Sequence, residues 1–247
     1  MSVEFVSAAQ AAQVAACDAP LRLVDTFGRV ARDLRVSLTD RCNLRCSYCM
    51  PPEGLDWLPT EETLTDEEVV RLVRVGVERL GIRQVRFTGG EPLLRRGLEG
   101  IIAECAQLRT DEGKKPDLAL TTNALGLAKR AQGLRDAGLD RVNISLDSLD
   151  AEHYAAITRR DRLGDVLEGI EAAARAGLTP IKVNTLVLRG MNEADLPDLV
   201  DYCLDRGIEL RVIEQMPIGP ADTWDRQSIL TADEILHIMG TRHTLTP

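Results

Sequence analysis

No apolar run in the 247 residues approaches the roughly 18 that a membrane helix needs, so no segment is expected to span a bilayer. The opening stretch, MSVEFVSAAQAAQVAACDAP, has an acidic residue and no basic one before its Ala-rich run. It therefore lacks the charged start of a secretory signal, and the cytoplasm is the expected compartment. A basic excess is missing as well: the formal net charge is -9. That argues against a general binder of nucleic acid or membrane surfaces, and any anionic ligand must find a local basic pocket. There is no internal repeat, low-complexity tract or Gly/Ser-rich linker. No GxxxxGK[ST] sequence occurs either, so a loop cradle for phosphate is not expected. Cysteine is sparse at six residues, and the chain length and missing signal favour reduced thiols over disulfides.

What is present reads as a soluble globular composition, 44% hydrophobic and 28% charged. Residues 1–30 are Ala/Gln-rich and partly irregular, an expected extension. From there to 247, short β-branched or apolar stretches alternate with longer stretches of helical period. The strands are expected at 33–39, 84–88, 117–123, 141–147, 179–188 and 208–214. Helices are expected near 64–80, 96–109, 126–137, 162–176, 193–206 and 231–239, with the polar 111–116 as a loop. Thr65 and Glu68 match a capping box, and Gly81, Gly138, Gly177 and Gly207 stand where helices should stop. Strict β-then-α alternation calls for a parallel sheet with right-handed crossovers. Six repeats fit a partial (β/α)6 TIM-type barrel of the α/β class.

In the first five strands the polar residues share one parity, for example Arg35, Ser37 and Thr39 against Leu34, Val36 and Leu38. Alternation alone would suit an antiparallel sheet with one wet face. The intervening helices demand parallel strands with an apolar outer face, so the polar parity is expected to point inward. A closed eight-stranded barrel fills its interior with Val, Ile and Leu. A polar interior implies a polar ligand.

Three of the six cysteines fall within TDRCNLRCSYCMP (39–51), as Cys42, Cys46 and Cys49. Spacing i, i+4, i+7 on one or two helical turns would put the thiols on one side. A buried helix face is disfavoured by the polar residues between them and by Met50-Pro51-Pro52, which ends any helix. Grouped thiolates select zinc or an iron-sulfur cluster. A structural zinc site needs four ligands, and Cys105, His153, His237 and His243 are all remote in sequence. Four thiolates complete a four-iron cluster; three leave one iron open for chemistry. Cys105 and Cys203 sit in helical patterns as small buried hydrophobes, and Cys17 has no assigned role.

CNLRCSYC resembles the C-x₃-C-x₂-C signature of the radical S-adenosylmethionine (SAM) enzymes, and its place after the first strand, followed by TGGEP (88–92) after the second, strengthens the likeness. The resemblance implies a [4Fe-4S] cluster on Cys42, Cys46 and Cys49 whose fourth iron takes the amino and carboxylate groups of SAM. The reduced cluster would cleave SAM to a 5′-deoxyadenosyl radical that takes a hydrogen from the substrate.

From about Asp25 to Thr244 the chain further resembles the GTP 3′,8-cyclase family of molybdenum cofactor biosynthesis. The resemblance rests on DTFGR, LRVSLTDRCNLRCSYCMP, VRFTGGEPLLRR, LTTN, RVNISLDSLD, IKVNTLVLRGMNE and RVIEQMPIG. It implies a lyase that removes the ribose 3′ hydrogen of GTP and joins that carbon to C8 of the guanine. By position it implies SAM contacts at Tyr48, Gly90, Ser145 and Met216, and GTP contacts at Arg35, Arg86, Thr121 and Lys182. The last four fall on the inward parity. The resemblance also implies a reductant protein such as flavodoxin or ferredoxin, and suggests a homodimer; neither nucleic acid nor a membrane is an expected partner. The family's second three-cysteine cluster, which binds the guanine base, has no counterpart after Cys203, so an impaired cyclase is expected of this chain. TTNA (121–124) replaces the family's TTNG, a change expected to affect a turn alone. Two other readings are a catalytically silent iron-sulfur, SAM or zinc module, and a radical SAM enzyme acting on a peptide or other small molecule.

Overall fold

A computed structural model describes residues 21–216 and 229–246. Residues 1–20, with Cys17, and part of the RVIEQMPIG segment lie outside the described residues. Six strands, β1 (Asp33–Ser37), β2 (Gln84–Thr88), β3 (Asp117–Thr122), β4 (Arg141–Ser145), β5 (Ile181–Leu186) and β6 (Glu209–Ile213), form one parallel sheet in sequence order. Each expected strand is present; β2 has the expected bounds and the others are trimmed by one or two residues at their ends.

The helices between them are α1 (Asp66–Arg74, continued as a π turn to Arg79), α2 (Leu98–Ala106), α3 (Leu127–Asp136), α4 (Ala151–Thr158), α5 (Leu163–Arg175) and α6 (Leu196–Asp205). A last helix, α7 (Ala232–Gly240), follows β6. The start of α1 is fixed by its capping box: Glu68 N–H donates to Thr65 Oγ1 at 3.2 Å, and Thr65 N–H donates to the Glu68 carboxylate at 2.8 Å. Helix α4 was not expected, because its eight residues bury only Tyr154, Ile157 and Thr158, too few to register as a helical period. Asp150 caps it, accepting from the N–H groups of Glu152 and His153, both at 2.9 Å. Residues 21–30, within the expected irregular extension, make a tight turn closed by a Val24–Val30 bridge, with Asp25 accepting from Phe27 N–H and Arg29 N–H.

One side of the sheet carries the core. Val85, Phe87, Leu118, Leu120, Val142, Ile144 and Val183 are fully buried against Val73 and Val77 of the first helical segment, Ile101 and Ile102 of α2, Leu134 of α3, and Val166 and Ile170 of α5. Burying each such side chain contributes about 1.5–3 kcal/mol. The opposite parity, Arg35, Arg86, Thr121, Asn143, Lys182 and Arg211, occupies the other face, as expected from the alternation.

The TTNA turn is more constrained than the sequence implies. Ala124 adopts a left-handed backbone (φ 64°), at a cost of about 1–2 kcal/mol for a residue with a Cβ. It is completely buried, and Gly169 of α5 comes directly against it. A Cβ at Gly169 would stand 2.9 Å from the Ala124 carbonyl oxygen and 3.1 Å from its Cβ. Gly169→Ala should therefore destabilise the fold by about 2 kcal/mol through overpacking, read as a lower midpoint in urea with unchanged slope.

Candidate active site

The loops that follow the strands meet at the carboxyl end of the sheet, where parallel barrels hold their chemistry. The cysteine segment follows β1. It is an irregular loop ending in a turn and not a helix, which corrects the expectation drawn from the i, i+4, i+7 spacing. Its internal bonds are few: Cys49 N–H and Met50 N–H both donate to the Cys46 carbonyl, at 2.9 and 3.1 Å. The Arg45 guanidinium also donates to the loop's own carbonyls at Cys42 (2.7 Å) and Leu44 (2.8 Å), and further backbone groups are satisfied from outside. Arg45 N–H donates to Thr158 O (3.1 Å) and Ser47 N–H to Ile157 O (2.8 Å), both at the end of α4. The next residue, Arg159, is left-handed (φ 55°), and its guanidinium donates to the carbonyls of Arg45 (2.9 Å) and Met50 (3.0 Å). The unexpected helix thus holds the loop.

The TGGEP turn holds its other end. Gly90 N–H donates to Thr39 O and Glu91 N–H to Arg41 O, both at 2.7 Å. A Cβ at Gly90 would overlap the carbonyl oxygens of Asp40 and Arg41, so only glycine permits this approach. Glu91 is buried and its carboxylate accepts from Leu93 N–H, Thr122 Oγ1–H and Asn123 N–H. Asn123 then reaches back to the loop, donating from Nδ2 to Asn43 Oδ1 at 2.7 Å, with Cys42 Sγ at 4.0 Å.

Cys42 and Cys46 are half-buried and Cys49 is exposed; all three thiols are free. Burial pushes Cys42 and Cys49 up, and pushes Cys46 up to about 12, with the Asp147 carboxylate adding to the effect. These thiols need bound positive charge to become ligands. Among the described residues, no three His, Cys, Asp or Glu side chains gather as ligands of a single ion would. A four-iron cluster asks for less convergence, since each cysteine ligates a different iron.

Tyr48, Cys49, Ser145 and Met216 line one cavity of about 300 Å³ together with Asp147 and Asn184. Three of the four residues expected at SAM are thereby brought together with a cysteine. Gly90 is not among the lining residues; it packs on the backbone of Asp40 and Arg41. A separate cavity of about 370 Å³, lined in part by Arg41, Thr65 and Arg96, contains none of the three cysteines.

The residues expected at GTP fall in two groups on the polar face. Arg35 and Arg86 are direct partners across β1 and β2. Thr121 accepts from Asn143 Nδ2 at 3.3 Å, and Asn143 is the cross-strand partner of Lys182. Lys182 is ion-paired to Glu209 (2.7 Å), which also receives Arg211 (2.8 Å). Burial, then the charges of Arg35 and Arg141, hold the Arg86 guanidinium below the usual arginine range. Among the described residues, its Nε and the buried Asn143 Oδ1 have no hydrogen-bond partner. Arg141, ion-paired to Asp117 at 2.8 Å, and Arg211 were missed from sequence, although both lie on the polar parity.

The model of the radical SAM superfamily matches residues 36–203. The chain belongs to the radical SAM superfamily. It is 64% identical over 225 residues to the GTP 3′,8-cyclase of Corynebacterium glutamicum and 58% identical to that of a Mycobacterium species, strain KMS. The alignments cover 91% of this chain and 60–63% of those relatives, so the chain spans about 60% of the length of the curated relatives it matches. Among solved structures it resembles Streptococcus suis SuiB bound to S-adenosylmethionine (TM-score 0.56, 20% identity, 74% of this chain and 38% of that one). It also resembles Escherichia coli coproporphyrinogen III oxidase (TM-score 0.55, 13% identity, 96% and 55%). These low-identity likenesses show the fold alone, the partial TIM-type barrel of radical SAM proteins. A four-iron cluster and SAM are what this superfamily implies, and three free thiols on one loop, with Cys49 lining a cavity of polar and apolar residues, fit both.

A polar clasp ties α4 to the segment before α6. Asp195 accepts from Ser148 Oγ–H (2.5 Å) and pairs with His153 Nδ1 (2.8 Å). The hydrogen bond to Asp195, with that carboxylate's charge, raises the His153 pKa above its ordinary 6.5, and Asp150 and Glu152 add to it. A raised folded value means that the pair's contribution is fully present below the unfolded pKa and is lost as pH rises through the folded one. Urea unfolding at about pH 6 and about pH 9 should show wild type losing more stability with rising pH than His153→Gln. For the glycine at the loop, Gly90→Ala should keep the fold's far-ultraviolet signature but retain less than half the wild-type iron after anaerobic reconstitution.

Proposed function

We propose that the chain supplies the cluster-, SAM- and triphosphate-binding barrel of a GTP 3′,8-cyclase, a lyase of molybdenum cofactor biosynthesis. The observation that carries the reading is a basic polar sheet face, with Arg35, Arg86 and Lys182, beneath a rim that bears Cys42, Cys46 and Cys49. The 56–64% identity to cyclases supports GTP as the substrate. When bound, the cluster and SAM supply reductively generated radical chemistry at carbon.

The chain's own residues bind and orient. Cys42, Cys46 and Cys49 hold the cluster in a loop fixed by Arg159 and the TGGEP turn. Tyr48, Ser145 and Met216 line the SAM cavity, and Gly90 keeps the turn close enough to complete it. Arg35 and Arg86 take phosphate oxygens as planar donors, Lys182 acts as a point charge released from Glu209, and Thr121 offers a hydroxyl. Orientation of the ribose toward the cavity then dominates specificity. A one-electron donor such as flavodoxin or ferredoxin is the proposed reductant, in a cytosolic setting that suits free thiols.

Anaerobic reconstitution tests the reading in order. About four iron and four sulfide per chain should bind, and Cys42→Ala should lose them. Adding SAM should change the electron paramagnetic resonance of the reduced cluster. Lys182→Ala should weaken GTP binding about tenfold in equilibrium dialysis while leaving iron content unchanged. Zinc without iron, or unaltered nucleotide affinity in Lys182→Ala, would overturn the assignment.

A further inference from the structure

The RGMNE segment and Asp147, two residues after Ser145, converge on the cysteine loop. Asp147 is 5% exposed and lines the same cavity as Tyr48 and Cys49. Tyr48 Oη–H donates to Asp147 Oδ2 at 2.8 Å across a sequence separation of 99, while Leu186 N–H donates to Asp147 Oδ1 at 2.9 Å. The Asp147 carbonyl is also occupied: Asn192 Nδ2 donates to it at 2.6 Å and to Leu186 O at 2.9 Å. Asn192 completes the knot by accepting Leu188 N–H on Oδ1 at 2.7 Å. The ends of β4 and β5 are thus locked together around Asp147 by a buried asparagine of the RGMNE segment.

Tyr48 has room on more than one side. It lines the 300 Å³ cavity and a second cavity of about 240 Å³ whose other walls include Ser47, Arg159, Leu188 and Met191. Packing alone leaves such a ring free to move, whereas a charge-assisted hydrogen bond to an immobile carboxylate fixes it. We propose that Asp147 is a positioning residue: held by Leu186 and Asn192, it anchors Tyr48 and so fixes one wall of the cofactor cavity and the turn between Cys46 and Cys49. The inference rests on the reading that this cavity receives SAM.

The reconstituted full chain provides the test, with SAM affinity measured by equilibrium dialysis. Asp147→Ala and Tyr48→Phe should each weaken SAM binding about tenfold, the usual consequence of losing one charge-assisted hydrogen bond. The double variant should be no weaker than either single one, because both remove the same link. Asp147→Asn should bind within about twofold of wild type, since its amide can accept Leu186 N–H and donate to the phenol oxygen. Wild-type affinity in Asp147→Ala, or a double variant weakened by the product of the two single effects, would overturn the proposal. Should Asp147→Ala fail to fold, Tyr48→Phe decides, because it deletes the hydroxyl alone; unchanged SAM affinity there sinks the anchor.

Hydrogen exchange separates this inference from the reading beneath it. Amides of residues 42–50 should exchange about tenfold faster in Asp147→Ala whether or not SAM binds, since the loop has lost a tether. Exchange equal to wild type would refute the anchor. A wild-type chain that binds no SAM would refute only the assignment of the cavity.

Discussion

Every crossover in this sheet returns its helix to the same side, and that constraint governs the rest of the molecule. Parallel strands in sequence order, joined right-handedly, cannot cover both faces. The covered face becomes a close-packed aliphatic core, with Val85, Phe87, Leu118, Leu120, Val142 and Ile144 sealed under helices. The other face must be filled by side chains, as in a closed barrel, or kept polar. Here it is polar: Arg35, Arg86, Asn143, Lys182 and Arg211 stand where a closed barrel would place Val and Leu. The polarity that weakens the interior as a core makes it usable for an anionic ligand.

The same topology sends all the strand-end loops to one rim, but it does not shape them. The cysteine loop has no regular secondary structure of its own, and much of its order is borrowed. The end of α4 accepts its N–H groups, Arg159 donates to its carbonyls, and the TGGEP turn comes close enough to bond its first residues because Gly90 has no side chain. A loop built in this way can keep its thiols half-exposed without a helix or sheet to hold them. The cost is dependence on distant residues.

Those distant residues mark where sequence reading stopped. Strand positions, the polar parity and the helix stops were legible because each rests on local chemistry: alternation of period two, a Thr65–Glu68 box, and glycines with φ between 63° and 105° at Gly81, Gly138, Gly177 and Gly207. The grouping of the three cysteines was legible from spacing and residue type. Helix α4 was hidden by its brevity. Asp147, Asn192, Glu91 and Arg159 were hidden because their importance lies in partners 31 to 114 residues away, which no local pattern encodes. The Ser148–Asp195–His153 clasp was hidden for the same reason. Ala124 was seen as a turn change, but its left-handed backbone and its contact with Gly169 belong to tertiary structure.

Electrostatics explains how a chain of net charge -9 can present a locally basic surface. On the polar face, Arg35, Arg86, Arg141, Lys182 and Arg211 stand against Asp33, Asp117 and Glu209, a local excess of two positive charges. The acids do more than offset charge. Asp117 holds Arg141, and Glu209 holds both Lys182 and Arg211, so these long side chains are placed before any ligand arrives. Arg35 has no such partner among the described residues, and Arg86 is crowded by like charges, which leaves that corner with the least compensated potential. Screening over about 8–10 Å at physiological salt confines the effect of the acidic outer surface. Local arrangement on the uncovered sheet face therefore outweighs the net charge in deciding what that face attracts.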